Sequence, residues 1–294
     1  MKLSILITVY NESDFLEECL DSIFECDDFP YEVIVVDDFS TDDTFVKLER
    51  YLAHNGCSNL VICRNDRKGK NNAFNMAYYR SSGDFICFVG GDDKVVPETI
   101  KGRVGLINKY LGPAVSLCKL KTFSNDPRLD GIIYPRRKKG GALAGGAMLF
   151  NRQFADIAFP LPVSLPNEDT WLKLAIKYCG VSVCHYPFVS YLYRQHSNNS
   201  VKLNSDFSVF SETISKRNAA LALFKDKFFS ALTDKYKDKL EAEIAVEAYR
   251  KEGDIFSILF VGNCSFRDKV SAILICNPVL YRVRLTFYRL LAGL

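Results

Sequence analysis

The first 120 residues alternate between short runs rich in β-branched residues and longer amphipathic stretches, and this pattern restricts the fold more than any other feature. Nearly continuous apolar runs predict strands buried on both faces, and apolar residues at helical spacing between them predict covering helices. The predicted fold is therefore α/β, with a mostly parallel, Rossmann-like sheet and flanking helices. The predicted strands are 3–9, 32–38, 59–66 and 83–91, and the predicted helices are 13–24 (with Ser13 as N-cap), 40–54 and 71–82.

Polar residues follow each predicted strand, in the segments TVYNE (8–12), VVDDFS (35–40), CRNDRKGK (63–70) and GGDD (90–93). In an open parallel sheet the ligand site lies at these carboxyl ends. Asp92 and Asp93 repel each other unless a cation or several donors compensate, and Mg²⁺ and Mn²⁺ prefer oxygen ligands completed by substrate phosphates. The pattern favours a metal-bridged nucleotide; the alternative is a solvated turn whose acids cap the next helix.

The pattern changes after the fourth strand. Residues 121–150 are rich in Gly and Pro, carry four consecutive cations at 136–139, and predict a long connection into a new strand. Residues 166–180 predict a helix that stops at Gly180. From about residue 205 the chain is predicted to be helical, so we expect an α/β domain over 1–204 and a helical C-terminal region over 205–294.

Composition excludes several classes of protein. The chain has 294 residues, 48% hydrophobic and 25% charged, as in globular proteins, and a net charge of only +3, so a general nucleic-acid binder is not expected. Ten scattered cysteines without a CxxC pair predict reduced core thiols in a cytoplasmic protein. The apolar run at the N-terminus ends after Val9, too short for a signal peptide, and no apolar run reaches the length of a membrane span.

The C-terminal segment 261–294 is basic, with five cations and one acid, Asp268. Aromatic and aliphatic residues are interleaved with these cations. One interpretation is peripheral contact of this helix with the inner face of the cell membrane. The alternative is a helix that docks on the protein's own core. The cations are Arg267, Lys269, Arg282, Arg284 and Arg289.

Six segments follow one another in the chain: ILITVYNESDFLEECLDSI, YEVIVVDDFSTDDT, GKNNAFNMAYYRSSGDFICFVGGDD, GGAMLF, NEDTWLKL and YLYRQHSNNS. Their order and rough spacing resemble family 2 glycosyltransferases with the GT-A fold. The resemblance covers about residues 1–200 and implies an inverting enzyme of bacterial surface-polysaccharide synthesis, with 1–204 as its catalytic domain. It implies a nucleotide-sugar donor, most simply a UDP-sugar, and a glycan or lipid-diphosphate-linked acceptor.

The resemblance assigns donor-binding residues position by position. The loop after the first strand matches the family's contacts to base and ribose, and Asp38 matches an acid that contacts the uracil or ribose; helix capping by Asp37 and Asp38 with Ser40 is the alternative. GKNNAFNMA resembles the family's GxSxARNxG, but Phe74 replaces the arginine, whose contribution we expect from Arg67 or Lys70. The implied donor-binding residues are Thr8, Val9, Tyr10, Glu12, Asp38, Lys70, Asn75, Gly91 and Asp92.

The resemblance also implies a metal site and a base. GGDD aligns with the metal-binding DxD region, with Gly90 in place of the first aspartate, so Asp92 is the implied ligand of Mn²⁺ or Mg²⁺ and His196 the second ligand. In NEDTW, Asp169 is the implied general base that activates the acceptor hydroxyl, with Glu168 beside it; the alternative is that these acids only cap a helix.

Two departures from the family pattern leave a second hypothesis open. Gly90 and Phe74 are also compatible with a catalytically silent relative that binds a nucleotide or glycan as a partner subunit. The retained Asp92, Asp169 and His196 favour the enzyme. A dinucleotide-binding oxidoreductase is not supported, because no GxGxxG follows the first strand.

Overall fold

The computed structural model describes residues 1–26, 28–137, 139–196 and 206–292, with side chains described up to residue 286. The chain divides into two compact units, Met1–Asn198 and Asn199–Leu294. Each unit is described by itself below.

Nine strands of the described residues form one mixed sheet in the first unit. The order is β3-β2-β1-β4-β8-β6-β9-β5, and β7 pairs with β6. The four strands β1 to β4 are parallel to one another, as predicted, whereas β8 is antiparallel to both β4 and β6. The strands are β1 Leu3–Val9, β2 Tyr31–Asp37, β3 Leu60–Arg64, β4 Phe85–Gly90, β5 Lys94–Val95, β6 Ala114–Ser124, β7 Ile133–Tyr134, β8 Met148–Asn151 and β9 Ser182–Gln195.

Helices accompany this sheet as predicted, but the first two begin later than expected, at Leu16 and Thr44. The N-cap of α1 is Phe15, without a side-chain cap bond, so the prediction of Ser13 as N-cap is wrong. The Ser13 N–H instead donates to Asp42 Oδ2 (3.2 Å), which ties this turn to the loop after β2. The helices are α1 Leu16–Phe24, α2 Thr44–Asn55, α3 Lys70–Arg80, α4 Ile100–Ile107, α5 Arg152–Ala158 and α6 Asp169–Tyr178.

The core of the first unit is built on the buried strands β1, β2 and β4, as their apolar runs predict. Trp171 of α6 is buried, and its Nε1–H donates to the Ala158 carbonyl oxygen (2.7 Å), so it packs the helix. The predicted stop of α6 is close to the observed one: Gly180 has a φ of +66°, in the left-handed region that favours glycine. All ten cysteines of the chain are thiols and not disulfides.

The second unit is helical, as predicted. A buried ion pair lies within its second helix, where Glu247 accepts hydrogen bonds from Arg250 Nε and Nη2 (both 2.8 Å). Arg250 links this helix to the first one, because it also donates to Ser211 and Ser215. Among the described residues, no helix combines the length and the apolar character that crossing a membrane requires. The helices are α7 Phe207–Phe228, α8 Asp234–Glu252, α9 Ile255–Phe260, α10 Phe266–Ile273 and α11 Pro278–Ala292.

Candidate active site

The carboxyl ends of β1 and β4 meet, because Thr8 pairs with Gly90 in the parallel register. The chain after β4 folds back over Gly90. A Cβ atom on Gly90 would lie 2.8 Å from Asp93 Oδ2 and 2.9 Å from Asp92 Oδ1, closer than real Cβ contacts. A side chain at position 90, as in the common DxD pattern, would therefore require both carboxylates to move from the space that they occupy.

Asp92 and His196 lie together, as the resemblance implies. His196 Nε2 is 3.0 Å from Asp92 Oδ2, and their side chains are 21% and 16% exposed. Among the described residues, including those of this site, no group of three or more His, Cys, Asp or Glu side chains is arranged to hold a metal ion. An ion on this pair would therefore need further ligands from water or from a bound diphosphate, as is common for Mg²⁺ and Mn²⁺.

Asp93 is buried and has a different environment from Asp92. Its Oδ2 accepts from the Tyr191 hydroxyl (2.5 Å) and its Oδ1 from the Arg194 backbone N–H (2.8 Å), while the Gly90 N–H donates to the Tyr191 hydroxyl (3.1 Å). Burial, and then the charge of Asp92, raise the pKa of Asp93. These contacts fix the loop to β9, so Asp93 holds Asp92 in place.

Glu12 adds a third acid to this cluster. Burial raises its pKa to about 8, and the neighbouring Asp92 and Asp93 add to the shift. A crowded set of carboxylates opposes ionisation, which is the electrostatic situation that a divalent cation relieves. The oxygen and imidazole donors of Asp92 and His196 are ligand types that suit Mn²⁺, and carboxylate oxygens suit Mg²⁺. The residues present therefore fit the implied metal.

Asp169 and Glu168 lie at the start of α6, beside the short 3₁₀ turn Gly145–Ala147. The Gly145 N–H donates to Asp169 Oδ1 (2.5 Å). Glu168 makes no capping bond; its carboxylate is 3.1 Å from Lys70 Nζ. Desolvation lowers the pKa of Lys70, but Glu168 and Asp169 outweigh it, and the net shift is upward. Lys70 is thus a stable cation beside the candidate base.

A chain of contacts joins the candidate metal pair to the candidate base. Asp93 binds the Tyr191 hydroxyl, and the Tyr191 ring packs so closely on Gly146 that a Cβ there would lie 2.2 Å from it. Gly146 follows Gly145, whose N–H holds Asp169. Asp92 and Asp169 therefore belong to one site at the carboxyl edge of the sheet.

The residues matched to donor binding are placed differently from one another. Thr8 and Val9 end β1 beside this edge, and Tyr10 is exposed, with Lys68 Nζ 4.1 Å from its ring centroid. Asp38 is buried and accepts from the Gly69 N–H (2.8 Å) and from Asn65 (2.7 Å), so it fixes the start of α3 and does not cap α2.

Gly91 packs directly against the end of β1. A Cβ on Gly91 would lie 2.5 Å from Val9 Cγ1 and 3.3 Å from Glu12 Cγ, so a side chain at this position would displace the loop after β1. The two matched segments are therefore in contact, and glycine permits their close approach.

Asn75 and Phe74 point into the protein. Asn75 Nδ2 donates to the Leu161 carbonyl (2.9 Å) and its Oδ1 accepts the Leu161 N–H (2.7 Å), so the amide has a packing role. Phe74, in place of the family's arginine, packs on Phe88 with ring centroids 4.4 Å apart. Of the two cations expected to replace that arginine, Lys70 reaches the site, beside Glu168.

Sequence reasoning missed three residues that organise the site. Tyr191 and Arg194 lie on β9, about a hundred positions beyond the loop that they hold, and no local pattern connects the two segments. Gly145 belongs to GGAMLF, a matched segment without an assigned role.

Two clefts beside Cys26 are lined by none of the predicted site residues, and one opens between Lys2 and Tyr31, at the amino ends of β1 and β2.

Comparison with known proteins confirms the family resemblance. Residues 4–146, just under half of the chain, match Glycosyl transferase family 2, which bears out the predicted resemblance. The predicted enzyme class, a glycosyltransferase, agrees with this match. The poly(ribitol-phosphate) beta-N-acetylglucosaminyltransferase TarS of Staphylococcus aureus is 33% identical over 126 residues, 41% of this chain and 21% of that protein.

A GalNAc(5)-diNAcBac-PP-undecaprenol beta-1,3-glucosyltransferase of Campylobacter jejuni is 30% identical over 124 residues, 42% of this chain and 40% of that protein. The alignments thus span about a fifth to two fifths of these relatives' lengths.

Two solved structures share the fold. S. aureus TarS 1–349 in complex with UDP-GlcNAc has a TM-score of 0.59 at 21% identity, covering 96% of this chain and 84% of that one. The mannosyltransferase PcManGT from Pyrobaculum calidifontis, in complex with GDP-Man and Mn²⁺, has a TM-score of 0.59 at 18% identity, covering 99% and 80%. These similarities confirm the predicted GT-A fold.

Proposed function

We propose that this chain is an inverting glycosyltransferase that moves a sugar from a UDP-sugar to a hydroxyl of a glycan or lipid-linked acceptor in bacterial surface-polysaccharide synthesis. The observation that carries the proposal is the contact chain from Asp93, the neighbour of Asp92, through Tyr191 and Gly146 to Asp169. It supports a candidate metal-binding pair and a candidate base within one site.

Asp169 is proposed as the general base. It is the first residue of α6, and the Gly145 N–H fixes its Oδ1. A carboxylate held in this way can accept the proton of an acceptor hydroxyl as the oxygen attacks the anomeric carbon, a contribution of about 10² to 10⁴ in rate. Lys70, held by Glu168, is proposed as the cation that faces the departing diphosphate.

Asp92 and His196 would hold the cation. Bound there, Mn²⁺ or Mg²⁺ would offset the negative charge that develops on the leaving nucleoside diphosphate. Asp93, Tyr191 and Arg194 keep the Asp92 loop in register, so the two ligands need little rearrangement on binding. The complex of PcManGT with Mn²⁺ supports this assignment by analogy.

The relatives support the substrate class. TarS was solved with UDP-GlcNAc, and both named relatives are beta-transferases, the outcome that a single in-line displacement gives from an α-linked donor. The name of the Campylobacter relative includes an undecaprenol-linked acceptor, which supports work at the cytoplasmic face of a membrane. We propose peripheral contact there through the cations of the C-terminal helix.

The test measures UDP release from a panel of UDP-sugars with Mn²⁺, together with UDP affinity. We expect Asp92→Asn to abolish metal-dependent UDP binding, and Asp169→Asn to preserve binding but lower turnover by about 10² to 10⁴. Asp84→Asn, an exposed carboxylate at the amino end of β4, serves as the control and should change neither. Equal loss of binding in Asp92→Asn and Asp169→Asn would contradict this division of roles.

The second candidate, a silent nucleotide-binding relative, is motivated by Gly90 and Phe74. It predicts that UDP with Mn²⁺ raises the unfolding temperature while no UDP-sugar in the panel is turned over. UDP release that Asp169→Asn removes would exclude it.

A further inference from the structure

Arg194 lies one residue before the end of β9 and contacts both aspartates of the metal-binding loop. Its backbone N–H donates to Asp93 Oδ1 (2.8 Å), and its Nε–H donates to the Asp92 carbonyl oxygen (2.7 Å). Its Nη2 donates to Glu18 of α1. One residue therefore connects the loop, the sheet and the first helix.

The guanidinium of Arg194 lies between two aromatic rings. Its central carbon is 4.5 Å from the centroid of Phe15 and 4.3 Å from that of Phe123. The Phe15 ring is also 5.2 Å from the His196 ring. Because two rings cover the guanidinium and its donors point at Asp92 and Glu18, this geometry disfavours direct contact with a diphosphate.

We infer that Arg194 is a positioning residue for the metal-binding pair. Its side chain binds the Asp92 backbone and packs on the Phe15 ring, which in turn contacts the His196 ring. These contacts together hold the Asp92 carboxylate and the His196 imidazole 3.0 Å apart. The inference rests on the proposed metal-dependent donor binding. Groups that orient metal ligands in this way are commonly worth about 10- to 100-fold in metal affinity.

Arginine is required here for a geometric reason. Its planar guanidinium can stack between two rings and donate along its edge in two directions, whereas the ammonium of lysine is a compact charge without a flat face. Arg194→Lys therefore keeps the charge but removes the stacking between the two rings and the paired hydrogen bonds, which together form the arginine clamp. Lys94 offers a matched control, because it also pairs with Glu18 and lies 5.2 Å from the Phe123 ring, but within the described residues its ammonium is not hydrogen-bonded to Asp92.

The experiment titrates Mn²⁺ into the full chain with UDP and no sugar donor, and follows free Mn²⁺ by electron paramagnetic resonance. We expect Arg194→Lys to weaken Mn²⁺ affinity about tenfold or more, and Lys94→Gln to change it by less than about twofold. In a parallel assay, saturating Mn²⁺ should restore the KM of Arg194→Lys for UDP-sugar.

Three results would overturn the inference. Unchanged Mn²⁺ affinity in Arg194→Lys would show that the clamp does not position the ligands, and a KM defect that excess Mn²⁺ leaves in place would show direct contact with the donor. If circular dichroism shows Arg194→Lys unfolded, Phe15→Leu, which removes the ring between Arg194 and His196, takes its place with the same expectation. A wild-type chain that binds no Mn²⁺ with UDP would refute the proposed function, and the inference with it.

Discussion

Replacing Gly145 by alanine should separate catalysis from folding. The added Cβ would lie 2.3 Å from Glu168 Oε1 and 3.2 Å from Asp169 Oδ1. Glu168 cannot easily withdraw, because it is buried and paired with Lys70 at 3.1 Å. Such overpacking typically costs about 1 to 3 kcal/mol, and displacing the bond between the Gly145 N–H and Asp169 removes a charged hydrogen bond of about 1.5 to 3 kcal/mol.

If that bond orients the base in the transition state, its loss corresponds to about a 10- to 150-fold lower kcat, since about 1.4 kcal/mol is tenfold. The assay is UDP release at saturating UDP-sugar and Mn²⁺, accompanied by thermal unfolding and UDP affinity. UDP affinity should fall much less than kcat, because the substitution does not touch Asp92 or His196 and reaches the donor side only through the Glu168–Lys70 pair.

The control for this substitution is Gly105→Ala. Gly105 lies inside α4, and a Cβ there would meet nothing within 4 Å. Alanine is favoured over glycine in a helix interior by up to about 1 kcal/mol, so this variant should be as stable as the wild type or more so, with unchanged kcat. A folded Gly145→Ala chain with wild-type kcat would refute the claim that the Gly145 N–H positions the base.

Two further predictions concern stability. Glu247→Leu should lower the free energy of unfolding by about 3 to 5 kcal/mol in urea denaturation, because it leaves the buried Arg250 guanidinium without its counter-charge. As the control, Glu212→Gln breaks an exposed pair with Lys216 and should hardly change this free energy. Burial alone would raise the pKa of Glu32, but hydrogen bonds from Lys2, Ser4 and Ser82 lower it from 4.5 to about 2. The ionised form of Glu32 therefore stabilises the fold, and after allowance for solvent screening Glu32→Gln should lower the free energy of unfolding by about 1 to 2 kcal/mol at pH 7. The difference in this free energy between variant and wild type should shrink as the pH falls from 4.5 to 2. A constant difference across that range would contradict the prediction.

The parallel half of the sheet could be predicted from sequence because each strand carries its own signal. β1, β2 and β4 are apolar runs bounded by helical stretches, and burial on both faces requires that composition. The second half could not be predicted in the same way. β8 has four residues, too few to show a period. β9 has fourteen residues but contains Pro187, which lacks the N–H that a ladder hydrogen bond needs, and its register with β6 shifts in this region.

The candidate site was predictable where chemistry follows a strand end, and not where it depends on contacts between distant segments. Asp92, Asp169 and His196 stand in segments that resemble family motifs, and the structure brings them to one edge of the sheet. Tyr191 lies 98 positions from Asp93, and no sequence period reports that a hydroxyl will meet a carboxylate across such a distance. Asn75 shows the opposite case: the motif assigns it to donor binding, but in the structure its side chain bonds to the Leu161 backbone inside the protein.

The loop after β4 shows how two adjacent, identical residues acquire different roles from their surroundings. Asp93 is buried and receives hydrogen bonds from Tyr191 and Arg194, so its oxygens are committed to the fold. Asp92 stays partly exposed and faces His196. Gly90 accommodates this arrangement, because a Cβ there would displace both carboxylates from their present positions. On the proposed function, the glycine leaves the space in which Asp93 anchors the loop and Asp92 faces the candidate metal site.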